Sequence, residues 1–118
     1  HTGMTRLEVT PNMHRRKELM AEMSDACIAL PGGVGTFEEL LEIITWKQLG
    51  LYLKPIVVLN TGGYYDPLLQ QLQRAVDEQF MRSQHAAIWQ VAATPAEALQ
   101  LAQTTPLWDK SVRKFAAM

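Results

Sequence analysis

The chain reads as an α/β domain built on a parallel sheet, and three observations predict it. Short apolar runs recur along it: "ACIAL" (26–30), "PIVVLN" (55–60) and "AIWQVA" (87–92). Segments with helical periodicity separate them, and the clusters "PGGVGT" and "TGGYY" follow the first two runs. Strands alternating with helices of this length indicate βα units, in which the strands pair in parallel. Both faces of such a sheet are covered, so its strands are apolar throughout, and ligands bind beyond their carboxyl ends.

Each element follows from local pattern. "TRLEVT" (5–10) is a short strand, and residues 13–23 form a helix with Met13, Met20 and Met23 at helical spacing. "ACIAL", bounded by Asp25 and Pro31, is a buried strand. Thr36 to Leu49 is a second helix with Phe37, Leu40, Leu41, Ile44 and Gln48 on one stripe, stopped by Gly50. "PIVVLN" is a β-branched strand, and "TGGYY" turns the chain into a helix over 66–80 carrying Leu68, Leu69, Leu72, Val76 and Phe80. "AIWQVA" is the next strand. "TPAEALQLAQ" (94–103) opens as a capped helix, with Thr94 as cap, Pro95 at the first position and Glu97 at the third. The tail 104–118 has little periodicity, and its Trp108 and Phe115 are candidates to dock on a neighbour. Three or four strands make about half of a doubly wound sheet, and an open edge calls for a second copy of the chain or for further chain.

Composition narrows the function. A chain of 118 residues is a single domain, here 1–118, with a modest core. A net charge of −1 implies no basic face for nucleic acid. Cys27, the single cysteine, excludes an internal disulfide and a cysteine-rich metal site, and its apolar setting makes it a buried thiol. No apolar run reaches the roughly 20 residues of a membrane span, so a cytoplasmic protein without membrane partners is expected. The opening "HTG" before Met4 is consistent with a tag remnant.

The chemistry concentrates in "LPGGVGTFEEL" (30–40). Gly32, Gly33 and Gly35 let the backbone take positive φ and approach a ligand without a Cβ in the way. Amides at a helix start and the helix dipole make an anion site, and a phosphate suits it. The spacing matches neither the Walker motif nor the dinucleotide fingerprint. A tight turn without ligand is the alternative. Thr36 and Glu39 form a T-x-x-E capping box, which offers Glu39 a structural role. A carboxylate beside a phosphate makes chemical sense only where it faces a part of the ligand that becomes positive. Glu38, Glu42 and Thr45 share one helix face, either solvated or lining the pocket. Upstream, Arg16 falls between Met20 and Met23 on the half-buried stripe, where a guanidinium needs an anionic or hydrogen-bonding partner or must snorkel to solvent. Lys17 flanks the same stripe beside Met13.

Together, "MHRRK", "SDACIALPGGVGTFEELLEIITWKQLG", "KPIVVLN" and "GYYDPLL" closely resemble the LOG family, cytokinin-activating phosphoribohydrolases often labelled lysine decarboxylase-like. The signature P-G-G-x-G-T-x-x-E is met by Pro31, Gly32, Gly33, Val34, Gly35, Thr36, Phe37, Glu38 and Glu39, with Arg16 and Lys17 as its upstream pair. The resemblance runs from about Arg6 to Phe80. It implies a three-layer Rossmann-like parallel sheet, of which this chain holds the carboxyl-terminal portion, since family members begin with further βα units. It implies hydrolysis of the N-glycosidic bond of nucleoside 5′-monophosphates, AMP-like and with N6-substituted adenine, to free base and ribose 5-phosphate. Arg16 and Glu39 are then the catalytic pair. Gly32, Gly33, Val34, Gly35 and Thr36 hold the phosphate, and Lys17, Glu38 and Thr45 contact substrate. Neither metal nor cofactor is implied, and a homodimer or higher homo-oligomer is. The competing reading is a non-catalytic nucleotide-binding or oligomerising module, as in the molybdenum-cofactor carrier proteins of similar fold.

Overall fold

The computed structural model of the chain describes residues 24–108. Three strands, β1 (Cys27–Ala29), β2 (Ile56–Leu59) and β3 (Trp89–Ala92), lie side by side in that order and run parallel. Ala29 pairs with Val58 and Leu59 with Ala92, so the three carboxyl ends are nearly level. The connections are α1 (Val34–Gln48) and α2 (Asp66–Asp77), and α3 (Pro95–Thr104) follows the last strand. Turns of 3₁₀ helix at Thr61–Gly63 and Ser83–Ala87 enter α2 and β3.

Period-two alternation sorts the strand side chains into two cores. Cys27, Ala29, Ile56, Val58 and Trp89 face one side, against Leu40, Ile43 and Ile44 of α1 and Leu72 of α2. Ala26, Ile28, Val57, Leu59 and Ala92 face the other, against Ala98 and Ala102 of α3. Strand order advances without reversal, and a right-handed crossover at each step puts α1 and α2 on the same face. Small residues let α3 lie close on the opposite face. The layers are therefore helix, sheet, helix, a partial Rossmann-like arrangement, as the alternation predicts.

Several boundaries differ from expectation. Helix α1 begins at Val34, two residues early, with Gly33 as its cap residue and no side chain capping it. Thr36 thus lies inside the first turn and Glu39 in the second, so the T-x-x-E pair is no capping box. The buried stripe of α1 is also rotated: Ile43 and Lys47 are buried while Leu41 is exposed. Lys47 can enter because its ammonium donates to the Lys54 carbonyl at 2.8 Å and lies 5.4 Å from the Trp108 ring centroid. Gly50 does end the helix, at φ +80. Helix α2 stops at Asp77 rather than Phe80, because Gln79 adopts φ +68; Phe80 falls beyond it and is 77% exposed. Leu30, expected inside a buried strand, is 44% exposed, because the chain leaves the sheet at Ala29.

At α3 the local rules hold. The Glu97 amide donates to the Thr94 hydroxyl at 3.1 Å, and the Ala93 amide donates to the Glu97 carboxylate at 2.8 Å. Trp108 docks on its own chain: its amide donates to the Leu53 carbonyl at 2.8 Å, and its ring packs on the first core. The strand expected at 5–10, the helix expected at 13–23 and Phe115 lie outside the described residues.

Candidate active site

The glycine loop leaves the carboxyl end of β1 and opens α1, at the end of a parallel sheet where ligands bind. The first intrahelical bond runs from the Phe37 amide to the Gly33 carbonyl at 3.0 Å. The amides of Val34, Gly35 and Thr36, in the first turn, have no carbonyl to meet within the helix. No carboxylate lies in that turn, and the positive end of the helix dipole there favours an anion.

The loop glycines do not work as expected. Positive φ occurs at Gly50, Gly62 and Gly63, and none of the three loop glycines adopts it. Gly32 is required by contact: a Cβ there would stand 2.3 Å from the Thr36 hydroxyl oxygen. At Gly33 and Gly35 a Cβ would meet nothing within 4 Å among the described residues. Neither backbone conformation nor packing among the described residues demands glycine at those two positions.

Two tyrosines hold the loop from the neighbouring connection. The Tyr65 hydroxyl donates to the Leu30 carbonyl, and the Tyr64 hydroxyl donates to the Gly32 carbonyl. Tyr65 is almost wholly buried, stacked edge-on against Phe37 at 6.1 Å and Tyr64 at 5.1 Å between ring centroids. Burial, and secondarily the Tyr64 hydroxyl beside it, raises its pKa, so it stays a donor. The turn carrying both is braced: the Tyr65 amide donates to the Asn60 side-chain oxygen at 2.6 Å, and the Asn60 amide group donates to Asp66 at 2.8 Å. Gly63 is needed here, at φ +75 and with a would-be Cβ 2.7 Å from an Asp66 oxygen. The sequence shows "NTGGYYD" as a turn, but nothing in the pattern says that its hydroxyls reach back some 30 residues to the glycine loop.

Of the sequence-predicted residues, Gly32 to Thr36 form one continuous loop and helix mouth, and Glu39 follows one turn later, half-buried. Glu38 is exposed. Thr45 stands nine residues along from Thr36, about 14 Å by helical rise, and its hydroxyl donates to the Leu41 carbonyl at 2.9 Å. Arg16 and Lys17 lie outside the described residues. Among the described residues, no group of three or more His, Cys, Asp or Glu side chains could hold a metal ion. No described helix is long and apolar enough to cross a membrane.

The family model described as "possible lysine decarboxylase" matches residues 1–102. A probable cytokinin riboside 5′-monophosphate phosphoribohydrolase of Oryza sativa subsp. japonica is 49% identical over 117 residues, covering 97% of this chain and 47% of that protein. A cytokinin riboside 5′-monophosphate phosphoribohydrolase of Rhodococcoides fascians is 56% identical over 81 residues, 69% of this chain and 41% of its own length. One from Arabidopsis thaliana is 50% identical over 104 residues, 87% of this chain and 49% of its own. The chain spans about half the length of the curated relatives it matches. With the signature loop at a carboxyl strand end and this match across most of its length, the chain belongs to the LOG family, the family that the lysine decarboxylase description covers.

Proposed function

We propose that this chain carries the phosphate loop and acidic group of a phosphoribohydrolase. Its reaction is hydrolysis of the N-glycosidic bond of purine nucleoside 5′-monophosphates, N6-substituted adenine nucleotides included, to free base and ribose 5-phosphate. The observation that carries this reading is the pair Gly33 and Gly35, whose missing side chains serve nothing among the described residues. They open the amides of the α1 mouth to close approach by a ligand, and the dipole there favours a phosphate.

With the phosphate on residues 32–36, the sugar reaches towards the next turn, where Glu39 stands. Cleavage of the glycosidic bond builds positive charge on the ribosyl carbon, as in glycoside hydrolysis. A carboxylate there stabilises that charge or takes a proton from the attacking water, and Arg16 holds the carboxylate and sugar in place. Water adds to the sugar carbon, and the base departs with a proton. Lys17, Glu38 and Thr45 are further substrate contacts in this proposal. The two sheet edges among the described strands are consistent with a homodimer that closes one of them, and the single buried cysteine with a cytoplasmic setting.

The test is to incubate the purified chain with AMP or isopentenyladenosine monophosphate and to follow free base by chromatography. Release that disappears in Glu39→Ala and in Arg16→Ala supports the enzyme. Glu39 has no capping duty at the start of α1, so its loss of activity at unchanged stability reports chemistry. Binding of AMP without release identifies a binding module instead.

A further inference from the structure

We infer that Tyr64 is a positioning residue for the phosphate loop: its hydroxyl sets the direction of the Gly33 amide. The inference rests on the proposed phosphate role of that loop and assigns its affinity to a side chain outside the signature.

The Gly32–Gly33 peptide is trans, and in a trans unit the carbonyl and the N–H point in opposite directions. The Tyr64 hydroxyl donates to the Gly32 carbonyl, drawing that oxygen towards Tyr64. The Gly33 N–H is thereby turned to the far side of the same plane. Without the tyrosine, rotation of this unit is hindered only weakly among the described residues, because Gly33 has no side chain and its Cβ position meets none of them within 4 Å. Thr36 secures the other flank of Gly32, packed where a Cβ would otherwise stand.

Tyr64 itself is held firmly enough to direct a peptide plane. Its amide donates to the Thr61 carbonyl at 3.1 Å, and its ring lies edge-on to buried Tyr65. Yet it is 48% exposed, so its hydroxyl contributes little to the core. Tyr65 makes the equivalent bond to Leu30, but the residue after Leu30 is Pro31, which has no N–H to aim. The two tyrosines therefore divide the work. Tyr65 anchors the loop in the core, and Tyr64 orients a donor for the anion.

Tyr64→Phe tests this, since it keeps the ring and removes only the hydroxyl. Two measurements are made on the full chain: the N–H residual dipolar coupling of Gly33 without ligand, which reports the direction of that bond, and affinity for AMP and for adenosine. Expected are a Gly33 coupling that is altered or averaged towards zero and AMP binding weakened about threefold to tenfold, the worth of one net hydrogen bond. Adenosine affinity and melting temperature are expected to stay unchanged. An unchanged Gly33 coupling overturns the inference, as does an altered coupling with undiminished AMP affinity. Equal weakening of AMP and adenosine also overturns it, because that reports a general loosening. If the wild-type chain binds neither ligand, the phosphate reading of the loop fails, and the coupling alone decides whether Tyr64 orients Gly33.

Discussion

Glycine at position 33 has a Cβ position that meets none of the described residues within 4 Å, which makes it a sharp probe of ligand approach. Its φ of −107 suits an alanine, and the added Cβ meets none of the described residues within 4 Å. Gly33→Ala is expected to change stability by no more than about 1 kcal/mol, while AMP binding falls at least tenfold. Calorimetric unfolding and titration on one preparation check both. Two buried ionisable groups predict opposite ends of a pH profile. Burial holds the Lys47 pKa down at about 8, against 10.5 for an ordinary lysine, with the Cys27 thiol opposing that shift. Between those values the unfolded chain binds a proton that the folded chain does not, so stability rises with pH across the window, by on the order of 3 kcal/mol. Lys47→Met should flatten that rise in denaturant titrations from pH 7.5 to 10.5. His85 is fully buried, its Nδ1 accepts from the Arg82 amide at 3.0 Å, and burial, aided by Arg82, lowers its pKa below 6.5. The unfolded chain takes up that proton first. Stability from neutral His85 is therefore complete above about pH 6.5 and drains away below it.

Elements here are bounded by single residues with identifiable physics. Thr94 caps α3 through its hydroxyl, and Thr94→Ala should cost about 1 kcal/mol, read as a lower denaturant midpoint with unchanged slope. Gly50 takes φ +80 behind α1, and a Cβ is strained there. Helix α3 approaches the sheet through Ala98 and Ala102, so Ala98→Leu should overpack that face and cost about 1–3 kcal/mol. The loops after β1 and β2 are one mechanical unit, because Tyr64 and Tyr65 tie the second to the first. A variant in "GYYD" should therefore perturb resonances of residues 30–33, which a sequence-local view would not anticipate.

For the molecule as a whole, the proposed site depends on strands whose carboxyl ends lie nearly level. Level strand ends put the glycine loop and the tyrosine turn beside each other, while buried Lys47 and His85 belong to the supporting body. The proposed homodimer gives a measurable expectation: sedimentation equilibrium should return about twice the mass of the 13.3 kDa chain. A monomer at every concentration tested would remove edge closure by a second copy from the proposal.

Alternation of apolar runs with periodic segments was enough to read the three described strands, the three described helices and their parallel pairing, because burial on both sheet faces leaves β1 and β2 uniformly apolar. "PGGVGTFEE" sufficed to locate the proposed site, since a glycine cluster between strand and helix has few other uses. The start of α1 was misread because a T-x-x-E pair looks the same whether it caps a helix or sits within one. Packing decided that, as it decided the burial of Lys47, whose amine is admitted by a carbonyl and an indole supplied from residues 54 and 108. The grip of Tyr64 and Tyr65 on the loop was invisible for the same reason. Periodicity and propensity are properties of neighbours along the chain, whereas a hydrogen bond across 32 or 35 residues exists only once the sheet has brought two loops together.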